Sequence, residues 1–159
     1  LGSRPRASVI QIGSVLGRLA LPGYSVYSAG KFGLRGFSEA LRRELGGTPV
    51  RVQYLGPRST RTPFNDAAVL AYNEATHTAM DEPERVARAL VELLESGAPE
   101  RFLGFPEALA VRINGLAPAT ADMALRAHRR ALANAPRAAG PASAQNPAAA
   151  AATTRQEPR

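Results

Sequence analysis

A chain of 159 residues with 45% apolar and 21% charged residues has an ordinary globular balance and the length for one hydrophobic core. It has no cysteine, which excludes disulfides, thiolate catalysis and thiolate metal sites. Its net charge of +7 comes from arginines scattered among acids without aromatic interleaving, so no nucleic-acid partner is expected.

The chain opens on Leu1, and Leu1 to Ala7 holds no strand or helix pattern, so the sequence is expected to begin inside a longer unit. Ser8 to Ile12 is a short apolar run ended by Gly13, the pattern of a strand buried on both faces of a parallel sheet. After a loop through Gly17, Pro22 and Gly23, a helix is expected from about Ser25 to Leu45. Phe37, Leu41 and Leu45 mark its apolar face, and Gly46 and Gly47 close it. Pro49 to Leu55 alternates Val50, Val52 and Tyr54 against Arg51 and Gln53, a strand of period two. Strand, helix and strand in that order make a βαβ unit with its two strands parallel.

Gly56 to His77 shows no sustained periodicity and is expected as a long irregular connection, a kind that is usually functional in α/β domains. A helix then opens with a capping box of Asp81 and Glu84, with Pro83 in its first turn. Val86, Leu90 and Leu94 give this helix its apolar face, and Gly97 stops it. Arg101 to Phe105 reads as a third strand, and Pro106 to Ala133 as two helices divided near Gly115 and Pro118. From Asn134 onward there is no Val, Ile, Leu or aromatic residue, so residues 134–159 are expected to be a disordered tail.

Tyr27 and Lys31 stand four apart near the start of the long helix, on one face and a turn apart. Lys31 is the only lysine, against nineteen arginines. A compact ammonium beside a phenol favours the phenolate, so the pair is expected to bring the Tyr27 pKa toward neutrality and let it exchange a proton. Ser14 follows the first strand at the carboxyl edge of a parallel sheet, where α/β proteins place their ligands.

Ile12-Gly13-Ser14, Tyr27-Ser28-Ala29-Gly30-Lys31 and the helix that runs on from Phe32 to Leu45 resemble the Ser and Tyr-x-x-x-Lys motifs of the short-chain dehydrogenase/reductase family. The resemblance covers roughly Ser8 to Phe105. It implies an α/β fold over residues 1–133: the C-terminal βαβ-αβ portion of a Rossmann-like, doubly wound parallel sheet, with extra C-terminal helices. It also implies hydride transfer between NAD or NADP and a carbonyl or alcohol carbon. Tyr27 would pass the proton, Ser14 would hold the substrate oxygen, and Lys31 would bind the nicotinamide ribose. Pro57, Thr60 and Thr62 would join Tyr27 and Lys31 in cofactor binding, as in the family's Pro-Gly-x-x-x-Thr, although Arg58 stands where the glycine would. The family's Gly-rich phosphate loop and its relay asparagine have no counterpart in the sequence, so the 159 residues are expected to be a truncated portion with little activity alone.

The expected partner is a small carbonyl or alcohol substrate, covered by Phe64 to Met80 with Phe64, Val69, Leu70 and Tyr72 as apolar wall. A homo-oligomer through the long helix is also expected. No run reaches the ~18 apolar residues that span a bilayer, and a cytoplasmic location is expected. His77 and His128 have no acidic or histidine partner at ligand spacing, so both are read as solvated and no metal is expected. Two readings compete with the reductase. One is a non-enzymatic interaction or membrane-surface module using the basic C-terminal helices. The other is an isomerase, epimerase or dehydratase of the same wider family.

Overall fold

The computed structural model of the protein describes residues 7–134, so the expected tail lies, beyond Asn134, outside the described residues. Three strands form one parallel sheet in the order β1-β2-β3: β1 is Ala7–Ile12, β2 is Val50–Gly56 and β3 is Glu100–Phe102. Ile12 pairs with Leu55, and Gly56 with Phe102, so the three carboxyl ends finish level and open onto one edge. α1 (Ser25–Glu44) is the crossover between β1 and β2. With helices on both sheet faces, the architecture is the expected α/β one.

β2 is central and buried from Val52 onward. The expectation that the first strand is buried on both faces is corrected: β1 is the edge strand and none of its six residues is buried. Gln53, expected on the polar side of β2, is 1% exposed. α3 (Pro83–Ser96) covers that face, where Leu55 packs with Ala89 and Leu93. The Gln53 amide is satisfied there, donating to the Leu93 carbonyl at 2.6 Å and the Ala98 carbonyl at 2.8 Å. Tyr54 points to the other face, toward Gly17 and α1.

Both long helices bury a face slightly rotated from the expected one. In α1 the buried positions are Ser28 and Ser38, while Phe37 is 55% exposed and Leu41 and Leu45 are half-buried. Close approach explains it. A Cβ on Gly17 would lie 2.9 Å from the Lys31 carbonyl, so only small side chains fit under the helix. In α3 Leu93 is fully buried and Leu94 is 41% exposed, so the apolar stripe is Val86, Ala89, Leu90 and Leu93. The capping box does not form: Glu82 is the N-cap and its side chain makes no capping bond, accepting instead from Arg61 at 2.8 Å, while the Asp81 carboxylate turns inward to two arginines. Gly97 ends α3 in the left-handed region at φ 66°, as expected.

The segment expected to be irregular contains α2 (Ala67–Ala75), capped by Asp66, whose carboxylate accepts from the Val69 amide at 2.9 Å. Its residues are apolar nearly all round, which leaves no helical periodicity to read. β3 is shorter than expected, and the two helices expected after Pro106 are three: α4 (Glu107–Leu116), α5 (Pro118–Ala124) and α6 (Arg126–Asn134). Among the described residues no helix is long and apolar enough to cross a membrane.

Candidate active site

Ser14 is fixed from below. The Tyr54 side chain rises from β2 so that its hydroxyl accepts from the Ser14 amide at 2.9 Å and donates to the Ser14 carbonyl at 2.9 Å. A Cβ on Gly13 would collide with that hydroxyl, which is why the strand must end in glycine here. The Ser14 Oγ accepts from the Leu16 amide at 3.1 Å, capping a single 3-10 turn, and the Val15 amide reaches the Pro57 carbonyl at 2.8 Å. Ser14 and the loop after β2 are thereby tied side by side at the carboxyl edge.

Tyr27 lies in the first turn of α1, half-buried, with the Tyr24 ring 6.2 Å away edge-to-face. Lys31 follows one turn later, and its Nζ stands over the Tyr27 ring, 5.4 Å from the centroid. The expected lowering of the Tyr27 pKa is corrected. Burial pushes it above the ordinary tyrosine value, with the Ser14 hydroxyl pulling the other way. The ammonium stands over the ring, and burial lowers the Lys31 pKa in turn. Both groups are shifted toward their neutral forms.

Ser14 and Tyr27 line a cavity of about 500 Å³ together with Pro57, Thr60 and Thr62. Lys31 does not line it. Phe64, Val69 and Tyr72 contribute wall as expected, whereas Leu70 is turned outward and exposed. The apolar side of the cavity also includes Leu16, Leu19 and Tyr24. His77 is exposed at the cavity rim, but His128 is not a solvated surface residue. It is half-buried on α6, its ring 5.9 Å from that of Tyr72, and burial lowers its pKa. Among the described residues no cluster suited to a metal ion occurs.

Arg58 forms a largely buried brace. Its guanidinium bonds Asp81 at 2.7 Å and Glu107 at 3.3 Å, and Arg85 reaches the same Asp81 oxygen at 2.9 Å. Asp81 is only 2% exposed at its side chain, so its charge depends on these arginines. The brace joins the loop after β2 to the starts of α3 and α4. Sequence reasoning missed Tyr54, Tyr24, the Arg58 brace and His128, because each works through a partner tens of residues away. The spacing of Tyr24 before Tyr27, on adjacent turns, was the one local signal.

A family model described as short chain dehydrogenase matches residues 1–73, the stretch that holds Ser14, Tyr27, Lys31 and the Pro57 to Thr62 loop. The chain is 34% identical over 116 residues to SadH, a Mycobacterium tuberculosis protein named as an oxidoreductase, covering 66% of this chain and 42% of that one. It is 38% identical over 93 residues to carbonyl reductase family member 4 of Danio rerio, covering 56% of this chain and 38% of that one. The chain spans about two fifths of the length of these curated relatives. Among solved structures, a closed serine dehydrogenase complexed with NADP+ matches with a TM-score of 0.52 and 28% identity, over 64% of this chain and 45% of that one. A short chain dehydrogenase from Burkholderia cenocepacia J2315 in complex with NADP has the same TM-score at 23% identity, over 63% and 45%, a likeness of fold. Over residues 1–73, with β1, α1 and β2 carrying the matched residues, the chain matches the short chain dehydrogenase family, whose relatives named above include proteins named as an oxidoreductase and a carbonyl reductase.

Proposed function

We propose that this chain forms the proton-transferring, substrate-facing side of an NAD(P)-dependent oxidoreductase. The reaction moves a hydride between the nicotinamide and the carbonyl or alcohol carbon of a small molecule. The observation that carries the reading is the meeting of Ser14 and Tyr27 with Pro57, Thr60 and Thr62 on one cavity. The NADP+ bound in the similar serine dehydrogenase and the carbonyl reductase name of a relative support it. The residues present fit the nicotinamide end of such a cofactor: the hydroxyl-bearing Ser59, Thr60 and Thr62 line the cavity with Ser14, and Arg58, which also lines it, has its guanidinium held by Asp81 and Glu107. When bound, the nicotinamide gives or takes the hydride.

Tyr27 is the proton donor for reduction. Its half-buried phenol, whose pKa burial raises, keeps its proton at physiological pH and gives it to the carbonyl oxygen as that oxygen gains charge. Ser14 holds the same oxygen: its Oγ accepts from the Leu16 amide, and the hydroxyl hydrogen that it otherwise turns toward the Tyr27 phenol donates to the substrate oxygen. Lys31 has no acidic partner among the described residues, so its ammonium is available for the ribose hydroxyls and supports the phenolate left after transfer. The outer face of α1, with Val26 and Phe37 exposed and Gly30, Gly33 and Gly36 bare, is proposed to pair with a second copy in the cytoplasm. The exposed Phe105, Leu116 and Met123 beside the C-terminal helices favour a second reading, an interaction or membrane-surface module.

The reading is tested by offering the full protein a panel of apolar ketones and alcohols with NADH, NADPH and their oxidised forms, following nicotinamide absorbance. Turnover with at least one ketone and one nicotinamide is expected. A protein that binds the cofactor yet turns over no member of the panel would sink the enzymatic reading in favour of the second.

A further inference from the structure

The cavity has an end that proton transfer does not use. Beyond Tyr27 its wall includes Tyr24, Tyr72 and His128. The Tyr24 and Tyr72 rings meet edge-to-face at 5.4 Å, and the His128 ring lies 5.9 Å beyond Tyr72. With Tyr24 at 6.2 Å from Tyr27, the four rings make one continuous aromatic wall running from the reacting phenol to His128. Edge-to-face rings present both ring faces and ring edges to a cavity, a surface that suits another flat ring.

The polar atoms along this wall are unequally committed. The Tyr72 hydroxyl donates to the Pro22 carbonyl at 3.1 Å and is spoken for. The His128 Nδ1 is buried and has no hydrogen-bond partner among the described residues. Burial favours the neutral imidazole, which keeps one nitrogen as donor and one as acceptor. A buried polar group without a partner is a rarity that calls for an explanation, and in the wall of a ligand-sized cavity a ligand is the natural one.

We propose that Tyr24, Tyr72 and His128 form a distal subsite that receives a flat, largely apolar ring of the substrate and pairs an oxygen function on that ring with the imidazole. The substrate class is a cyclic or aromatic carbonyl compound, or its alcohol, with a second hydroxyl or carbonyl remote from the reacting carbon. The inference rests on the oxidoreductase reading for which carbon reacts, and on the cavity alone for what binds.

The test is calorimetric titration of the full protein with 1-tetralone and with 6-hydroxy-1-tetralone, which differ by one remote hydroxyl. The hydroxylated ketone is expected to bind about fivefold tighter, the size of one net neutral hydrogen bond. In H128F that preference is expected to collapse to about one, and in H128Q, which keeps donor and acceptor, to recover in part. Equal affinities in the unaltered protein, no binding of either ketone, or an unchanged preference in H128F would overturn the subsite. Turnover is read separately. Selective binding without reduction removes the oxidoreductase reading and leaves the subsite, whereas reduction without discrimination does the reverse.

Discussion

Ser14 owes its position to Tyr54, a residue that shares no sequence motif with it. Removing the Tyr54 hydroxyl leaves the buried Ser14 amide without a partner, while the Ser14 carbonyl keeps the Gly17 amide at 3.0 Å. Tyr54→Phe is therefore expected to destabilise the protein by about 1–3 kcal/mol in urea unfolding, the cost of stranding a buried polar group. A change under about 0.3 kcal/mol would mean that the clamp does not hold Ser14. Ser14 and Tyr27 themselves were legible, because a hydroxyl beyond a strand and a tyrosine four before the sole lysine are local patterns. The Tyr27 pKa was not legible: sequence spacing places Lys31 near the ring but says nothing of burial, and burial wins.

The elements show the same division between local and long-range information. The βαβ unit of β1, α1 and β2 could be read from apolar runs and period alone, and so could the glycine that ends α3. Helix α2 could not, since nine residues that are apolar nearly all round carry no stripe, and only Asp66 at its cap betrays it. The face of α3 turned out one residue away from the one its leucines suggested, because Gln53 and Leu55 draw Leu93 inward. Paired alanine variants separate the two faces. Leu93→Ala is expected to cost about 2–5 kcal/mol in stability and Leu94→Ala within about 0.5–1 kcal/mol, both by denaturant unfolding. The reverse order would restore the face read from sequence.

Across the whole molecule, all four tyrosines are shifted upward mainly by burial: Tyr24 most, Tyr72 to about 12, and Tyr27 and Tyr54 in the same direction. In the unfolded chain each ionises near pH 10, while the folded chain keeps its protons, so the unfolded state binds fewer protons above that pH. Stability from these groups is intact below pH 10 and is lost as pH rises beyond it. A urea midpoint that is level between pH 8 and 9.5 and falls steadily above pH 10 is expected; one unaffected up to pH 12 would mean that the tyrosine hydroxyls are open to water. These four phenols lie in or beneath a single cavity, which is also where the family's chemistry is proposed.

The central claim, that Tyr27 passes the proton, is tested most directly by Tyr27→Phe in the full protein, comparing turnover with nicotinamide binding. A loss of about 10²–10⁴ in kcat, with cofactor affinity kept within a few fold, is the predicted result. Turnover that survives the loss of this hydroxyl undiminished would contradict the account.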